Sequence, residues 1–279
     1  MQKLSAKLDG YAIGKRIGRG ARSVICEIRR NRDGRKFAAK CIHLQNDKDK
    51  KALRHLESEN KVLKDLHSHQ KVPRQVVRRV EFVRVRKFFR LEGACLILEL
   101  IPGLDLQRNA HYSLEKKIDI TGQVCKALEF IHQQGYIHGD VKPDNILVDG
   151  QGRARLIDFG FAAPIGSDIE GMKGTWGFMA PEQSGGTLEP ETDVYNLGAA
   201  MYWLFTGENL PYVIPKGKDM GGLSGQIDPT PPHHLNPEVP GPLSELIMHC
   251  CDHEAAGRPT LTQVSNRLHD IALRLQLNV

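Results

Sequence analysis

The chain changes its hydrophobic period near residue 100, which limits it to folds in which a sheet-rich portion precedes a helical one. Over residues 11–44 apolar and polar residues alternate, with breaks at Gly18-Arg19-Gly20 and Asn31-Arg32-Asp33-Gly34. That pattern predicts three antiparallel strands joined by tight turns. Residues 47–67 switch to three- and four-residue spacing (Leu53, Leu56, Asn60, Leu63, Leu66), which predicts one amphipathic helix. Pro73 stops it, two further strands are expected over 76–86 and 94–100, and Ile101-Pro102-Gly103 breaks the β-rich portion. Helices are then expected over 114–134, closed by Gly135, and over 193–205, 243–251 and 261–275. The Pro- and Gly-rich stretch between Thr206 and Pro242 is long for a passive connector and reads either as a partner-binding loop or as a mobile insertion.

A chain of 279 residues, 40% hydrophobic and 26% charged, can bury a core in one large domain or two small ones. It contains no apolar run of the roughly 20 residues needed to cross a bilayer and opens without the apolar region of a signal peptide, so the expected compartment is the cytoplasm. Cys26, Cys41, Cys95, Cys125, Cys250 and Cys251 show no metal-type spacing and are expected to be reduced and mostly buried. The net charge of +6 is unevenly spread, because residues 1–97 hold 26 of the 39 basic and only 10 of the 33 acidic residues. Segment 71–90 is the densest part, and its Arg/Val/Phe alternation reads as the wet face of strands rather than as a docking patch for nucleic acid or membrane.

Four stretches carry chemistry. Gly18-Arg-Gly-Ala-Arg-Ser23 gives a turn whose backbone N–H groups can approach phosphates, a weak signal alone. Lys40 lies within the apolar strand Phe37-Ala-Ala-Lys40, where a buried ammonium needs a partner that Glu59 on the next helix can supply. Ile137-His-Gly-Asp-Val-Lys-Pro-Asp-Asn145 places a base (Asp140), a cation (Lys142) and a hard oxygen ligand (Asn145) within a few positions. Asp158-Phe-Gly160 then adds a second carboxylate suited to Mg²⁺.

Taken in order, these motifs resemble the signature set of eukaryotic-type Ser/Thr protein kinases, bacterial members included, over about residues 11–272. Ala180-Pro-Glu182, Asp193 in TDVYNLG and Arg258 in GRPT extend the likeness. The resemblance implies an α+β bilobal fold: a nucleotide-binding lobe over residues 11–100 with a five-stranded antiparallel sheet and one main helix, a hinge at 101–105, and a mostly helical lobe over 106–272. It implies ATP and Mg²⁺ as cofactors, and Asp140, Lys142, Lys40 and Glu59 as catalytic residues. Asn145 and Asp158 would be the metal ligands, and Ile17, Gly18, Gly20, Val24, Ala38, Lys40, Leu98, Glu99, Ile101 and Leu147 would contact the nucleotide. Leu63, His138 and Phe159 would stack as an internal spine, and Phe161 would favour serine as acceptor. Partners would be proteins bearing Ser or Thr, with no specific nucleic acid and no membrane segment, and a regulatory partner at the helix of Glu59 or the 206–242 loop.

The sequence departs from that set at one position. Gly139 stands where protein kinases usually carry an arginine that reads a phosphate on the activation segment, and His-Gly-Asp is common in aminoglycoside- and choline-type small-molecule kinases. Those enzymes generally lack a counterpart of Lys142 and the Ala-Pro-Glu segment, so Lys142 with Thr175 favours protein acceptors. Without that arginine, activity is expected to depend little on phosphorylation of the segment, whose hydroxyls are Ser167 and Thr175. A pseudokinase scaffold is the alternative of a different class, although every catalytic position holds a competent residue type.

Overall fold

The computed structural model describes residues 8–20, 22–68, 71–169, 171–211 and 229–277. By their contacts they fall into two units, one comprising the chain up to Val72 with Val77–Pro102, the other comprising Pro73–Val76 with Gly103 onward.

The first unit is an antiparallel sheet of five strands in the order β1-β2-β3-β5-β4: β1 Tyr11–Arg19, β2 Val24–Arg30, β3 Lys36–His43, β4 Arg79–Lys87 and β5 Arg90–Glu99. The expected strand at 76–86 starts three residues later. Val76 instead makes an isolated bridge to Leu156 in the second unit's share of the chain. One sheet face carries an apolar cluster of Leu8, Ile28, Ala39, Val85, Cys95 and Ile97. Helix α1, Asp47–Leu66, packs against β3, β4 and β5. Its start is fixed by a capping box in which the Asn46 side chain accepts from the Asp49 amide while the Asp49 carboxylate accepts from the Asn46 amide. Leu53, Leu56, Val62, Leu63 and Leu66 form its buried stripe, with Glu59 the one acid buried near its middle.

Pairing of β3 with β5 sets Cys41 opposite Cys95, their Cα atoms 4.1 Å apart, and the two form a disulfide. This corrects the expectation of six reduced cysteines: strand register, which no cysteine spacing encodes, makes the pair. Cys125 and Cys250 are buried free thiols whose pKa values burial drives upward, that of Cys250 to about 12, as expected of inert core cysteines.

The second unit is mostly helical: α2 Leu114–Gln133, α3 Pro190–Thr206, α4 Pro232–Leu235, α5 Gly241–Cys250 and α6 Leu261–Arg274. α2 packs on α6 and α3, and α3 packs on α5. At the last contact Gly198 admits close approach, because a Cβ there would lie 2.6 Å from that of Cys250. A small sheet orders β6 Gly103–Asp105, β8 Ile146–Asp149 and β9 Ala154–Leu156, with β7 the short strand Tyr136–Ile137. The segment read as a hinge is thus partly strand, and Gly103 is required because a Cβ would lie 2.2 Å from the Val148 carbonyl oxygen. Of the long 206–242 stretch, residues 212–228 lie outside the described residues, so the expectation placed on that loop stays open.

Candidate active site

In the first unit the Lys40 Nζ donates to Glu59 Oε2 at 2.8 Å, with the Glu59 side chain 1% exposed, as burial of a strand lysine demands. Lys40 pairs across the sheet with Ile25 on one side and Leu96 on the other, while Ala38 pairs with Glu27 and Leu98. Ile25, Ala38, Lys40, Leu96 and Leu98 therefore share a face. Val24 pairs with Cys41 and lines a cavity of about 360 Å³ together with Cys26, Ala39 and Cys41 on the other face. Val24, expected at the nucleotide, therefore lies on the face opposite Lys40, and Ile25 lies on the Lys40 face with its side chain 3.3 Å from where a Gly18 Cβ would stand. The bulge between Arg16 and Gly18 lies between β1 and β2, whereas β2 pairs with β3 without a break, so simple alternation along β2 puts Val24 and Ile25 on opposite faces. Ile17 lies inside that bulge. Gly20 closes the tight turn by donating to the Ser23 carbonyl at 3.0 Å, and a Cβ on it would lie 2.6 Å from Ser23 Oγ. Glu99 is fixed at the end of β5: its amide donates to the Arg78 carbonyl and its carboxylate accepts from the Arg78 amide, both at 2.9 Å. Ile101 follows it, and Leu63 is fully buried in α1.

In the second unit the catalytic-loop candidates converge. Asp140 and Asn145 are 6% and 5% exposed. The Asn145 Nδ2 donates to the Asp140 backbone oxygen at 2.8 Å and to Asp140 Oδ2 at 2.9 Å, leaving its own side-chain carbonyl as an acceptor. Lys142 Nζ lies 2.9 Å from Asp140 Oδ2 and donates to Thr175 Oγ1 at 2.5 Å, while Thr175 donates to Asp140 Oδ1 at 2.6 Å. Leu147 sits on β8 opposite Asp105 and Arg155. Asp158 adopts φ +61°, a left-handed conformation that turns the chain, and its Oδ1 accepts from the Gly160 amide at 3.1 Å.

His138 is fully buried with its ring edge-on to Phe159 at 4.9 Å between centroids, so these two members of the expected spine do meet. Its Nδ1 accepts from the Asp140 amide, which leaves Nε2 as the donor to the Ile157 carbonyl at 3.1 Å. The loop hangs from Asp193, whose two oxygens accept from the amides of His138 and Gly139, each at 2.8 Å, and whose Oδ2 also accepts from His132 Nε2. Burial pushes the Asp193 carboxyl up, but the His132 hydrogen bond and the Gly139 amide outweigh it and hold the group below the ordinary carboxylate range. Glu182 behaves alike. Burial raises it, and the bidentate Arg258 pair at 2.7 and 3.0 Å lowers it further than burial lifts.

Gln183, directly after Ala180-Pro-Glu182, is a residue that sequence reasoning missed. At 1% exposure its Nε2 donates to the carbonyls of Gly139 and Lys173, both at 2.8 Å. Its Oε1 accepts from the Ala180 amide at 2.9 Å and from Asn196 Nδ2 at 2.8 Å. One glutamine thus ties the catalytic loop to the segment that carries Thr175. Gly139 fits this arrangement with φ +72° and a carbonyl turned to Gln183. A lone glutamine leaves no periodic or motif signal, so only the fold reveals it.

The family description "Protein kinase domain" matches residues 11–269, and the chain belongs to that family. Among relatives, the serine/threonine-protein kinase PknB of Mycolicibacterium smegmatis is 30% identical over 55% of this chain and 26% of its own length. A probable myosin light chain kinase of Dictyostelium discoideum is 30% identical over 71% of this chain and 57% of its own. A Wee1-like protein kinase of rice (Oryza sativa subsp. japonica) is 30% identical over 90% of this chain and 45% of its own. The chain thus spans about a quarter to somewhat over half of these relatives' lengths. No described helix is long and apolar enough to cross a membrane.

Proposed function

We propose that the chain is a Ser/Thr protein kinase that transfers the γ-phosphoryl group of ATP to protein hydroxyls. The observation that carries this reading is the closed set Lys142–Thr175–Asp140, with a cation, a hydroxyl and a carboxylate bonded to one another at 2.5–2.9 Å. The hydroxyl comes from the segment Gly174–Glu182, whose likeness to the peptide-docking loop of Ser/Thr protein kinases favours a protein acceptor over a metabolite. Asp140 orients the acceptor hydroxyl and takes its proton, and Lys142 donates to the phosphoryl oxygens as charge moves onto them. Lys40, held by Glu59, binds phosphates of the nucleotide, and the Gly18–Gly20 turn presents N–H groups to them. Within the first unit the proposed adenine contacts are Ile17, Ile25, Ala38, Leu98 and the backbone of Glu99 and Ile101. Residues 11–100 serve nucleotide binding and 106–272 catalysis and peptide binding.

The donor set fits Mg²⁺: the amide hydrogens of Asn145 are committed to Asp140, so its carbonyl oxygen and the Asp158 carboxylate would be the hard ligands that hold the ion. When bound, the metal neutralises phosphate charge. Phe161 gives the site a preference for serine over threonine, and the location proposed is the cytoplasm.

Acceptor competition tests the reading. With ATP and Mg²⁺, Ser/Thr peptides should be labelled and amino-alcohols and sugars should not, and Thr175→Ala should lower peptide labelling by about tenfold or more. Labelling of the small alcohols with peptides untouched overturns it.

A further inference from the structure

The tip of the β4–β5 hairpin lies outside the residues assigned to phosphoryl transfer, and its composition is unusual. Lys87 pairs with Arg90, so the loop between them is the two residues Phe88 and Phe89, which are 88% and 98% exposed. Two-residue hairpin loops favour Gly, Asn or Asp because they require left-handed backbone, and Phe88 adopts φ +53°, a conformation costly for a bulky side chain. Neither ring gains contact from this strain within the fold. Around them Arg86, Lys87 and Arg90 are exposed, and none makes an ion pair among the described residues, in contrast to Arg84, which is bound to Glu57 at 2.8 Å. Glu92, two positions inward from Arg90, is the one acid close by in sequence, and segment 71–90 as a whole carries eight basic residues against Glu81.

We propose that this tip docks on an anionic lipid bilayer surface, with Phe88 and Phe89 inserted among the headgroups and Arg86, Lys87 and Arg90 against the phosphates. The shape favours this occupant: two adjacent rings on a convex two-residue turn offer nothing for a partner to fill, but suit a fluid interface that closes around them, where aromatic side chains settle. The charge is complementary, since unpaired cations within a Debye length of an anionic leaflet are each attracted to it. The strand read from sequence as a solvated face would therefore end in a membrane anchor. The tip is remote from the nucleotide residues of the same sheet: Lys40 pairs with Leu96, six positions and about 20 Å along β5 from Arg90. The proposal does not depend on the catalytic reading.

Sedimentation of the full chain with vesicles is the test. The protein should pellet with phosphatidylcholine vesicles containing phosphatidylglycerol, stay in solution with phosphatidylcholine alone, and be released by high salt. F88S/F89S, which removes nothing buried, should weaken pelleting by about tenfold with its circular dichroism unchanged. R86E/K87E should do the same. Binding that the double serine variant leaves intact, or equal binding to neutral vesicles, overturns the proposal. Failure to pellet with anionic vesicles also overturns it and leaves an acidic protein surface as the occupant.

Discussion

Replacing Gln183 by leucine tests whether the activation segment is held in place without a phosphate. The substitution keeps the volume but removes four hydrogen bonds at 2.8–2.9 Å, leaving the carbonyls of Gly139 and Lys173, the Ala180 amide and one of the two Asn196 side-chain N–H groups without these partners in a site 1% exposed. Each bond contributes about 1 kcal/mol net, and a stranded buried group costs about 1–3, so with partial relaxation the loss should be roughly 2–4 kcal/mol. It should also reach the chemistry. Gly139 precedes Asp140, and Lys173 lies two residues before Thr175, so both sides of the Lys142–Thr175–Asp140 set lose a tether. Urea unfolding would give the stability change, and steady-state kinetics with a peptide acceptor should show kcat down by about tenfold with KM for ATP little altered, since Lys40 and Glu59 are untouched. Gln183→Glu, nearly isosteric, should be at least as damaging because it sets a carboxylate oxygen against two carbonyls. A leucine variant within about 0.5 kcal/mol of the parent and with full kcat would refute the tether.

Ser167→Ala should retain activity within about twofold, because Ser167 is held through its strand pairing to Leu188 and the segment is already tied down by Gln183; a large loss would show that phosphorylation of this serine is required. Asp193 and Glu182 fold with lowered pKa values against ordinary values of 3.8 and 4.5, so the stability they contribute is present above those values and lost as pH falls through and below them. Urea midpoints should therefore be level near neutrality and drop in that acid range, and Asp193→Asn should start lower and flatten the acid limb. Mass spectrometry of alkylated, unreduced protein should find Cys41 and Cys95 protected, and Cys95→Ser should cost about 2–4 kcal/mol in unfolding experiments. Full alkylation of both would contradict the bridge.

Much of the fold was legible because period carries it. The alternation over residues 11–44 became β1–β3, and the Leu53–Leu66 spacing became the buried stripe of α1 with Glu59 facing Lys40. Features set by register were not legible. Whether Val24 or Ile25 shares a face with Lys40 depends on how β2 registers against β3, and the Cys41–Cys95 pair depends on which residues β3 and β5 set opposite one another. The short strands β10 Ala163–Pro164, β11 Ser167–Asp168 and β12 Thr187–Leu188 order the activation segment through pairs too few to leave a periodic trace. Gln183 belongs with these, since its role arises from what the fold brings to its amide.

The central claim is phosphoryl transfer to protein hydroxyls, and the measurement that bears on it most directly is transfer of labelled phosphate from ATP and Mg²⁺ to a mixed Ser/Thr peptide library, with Asp158→Asn and Asp140→Asn alongside. The account predicts label on serine or threonine, serine ahead, and its disappearance in both variants. Bound ATP with no label on any peptide, or label that survives loss of the Asp140 carboxylate, would contradict it.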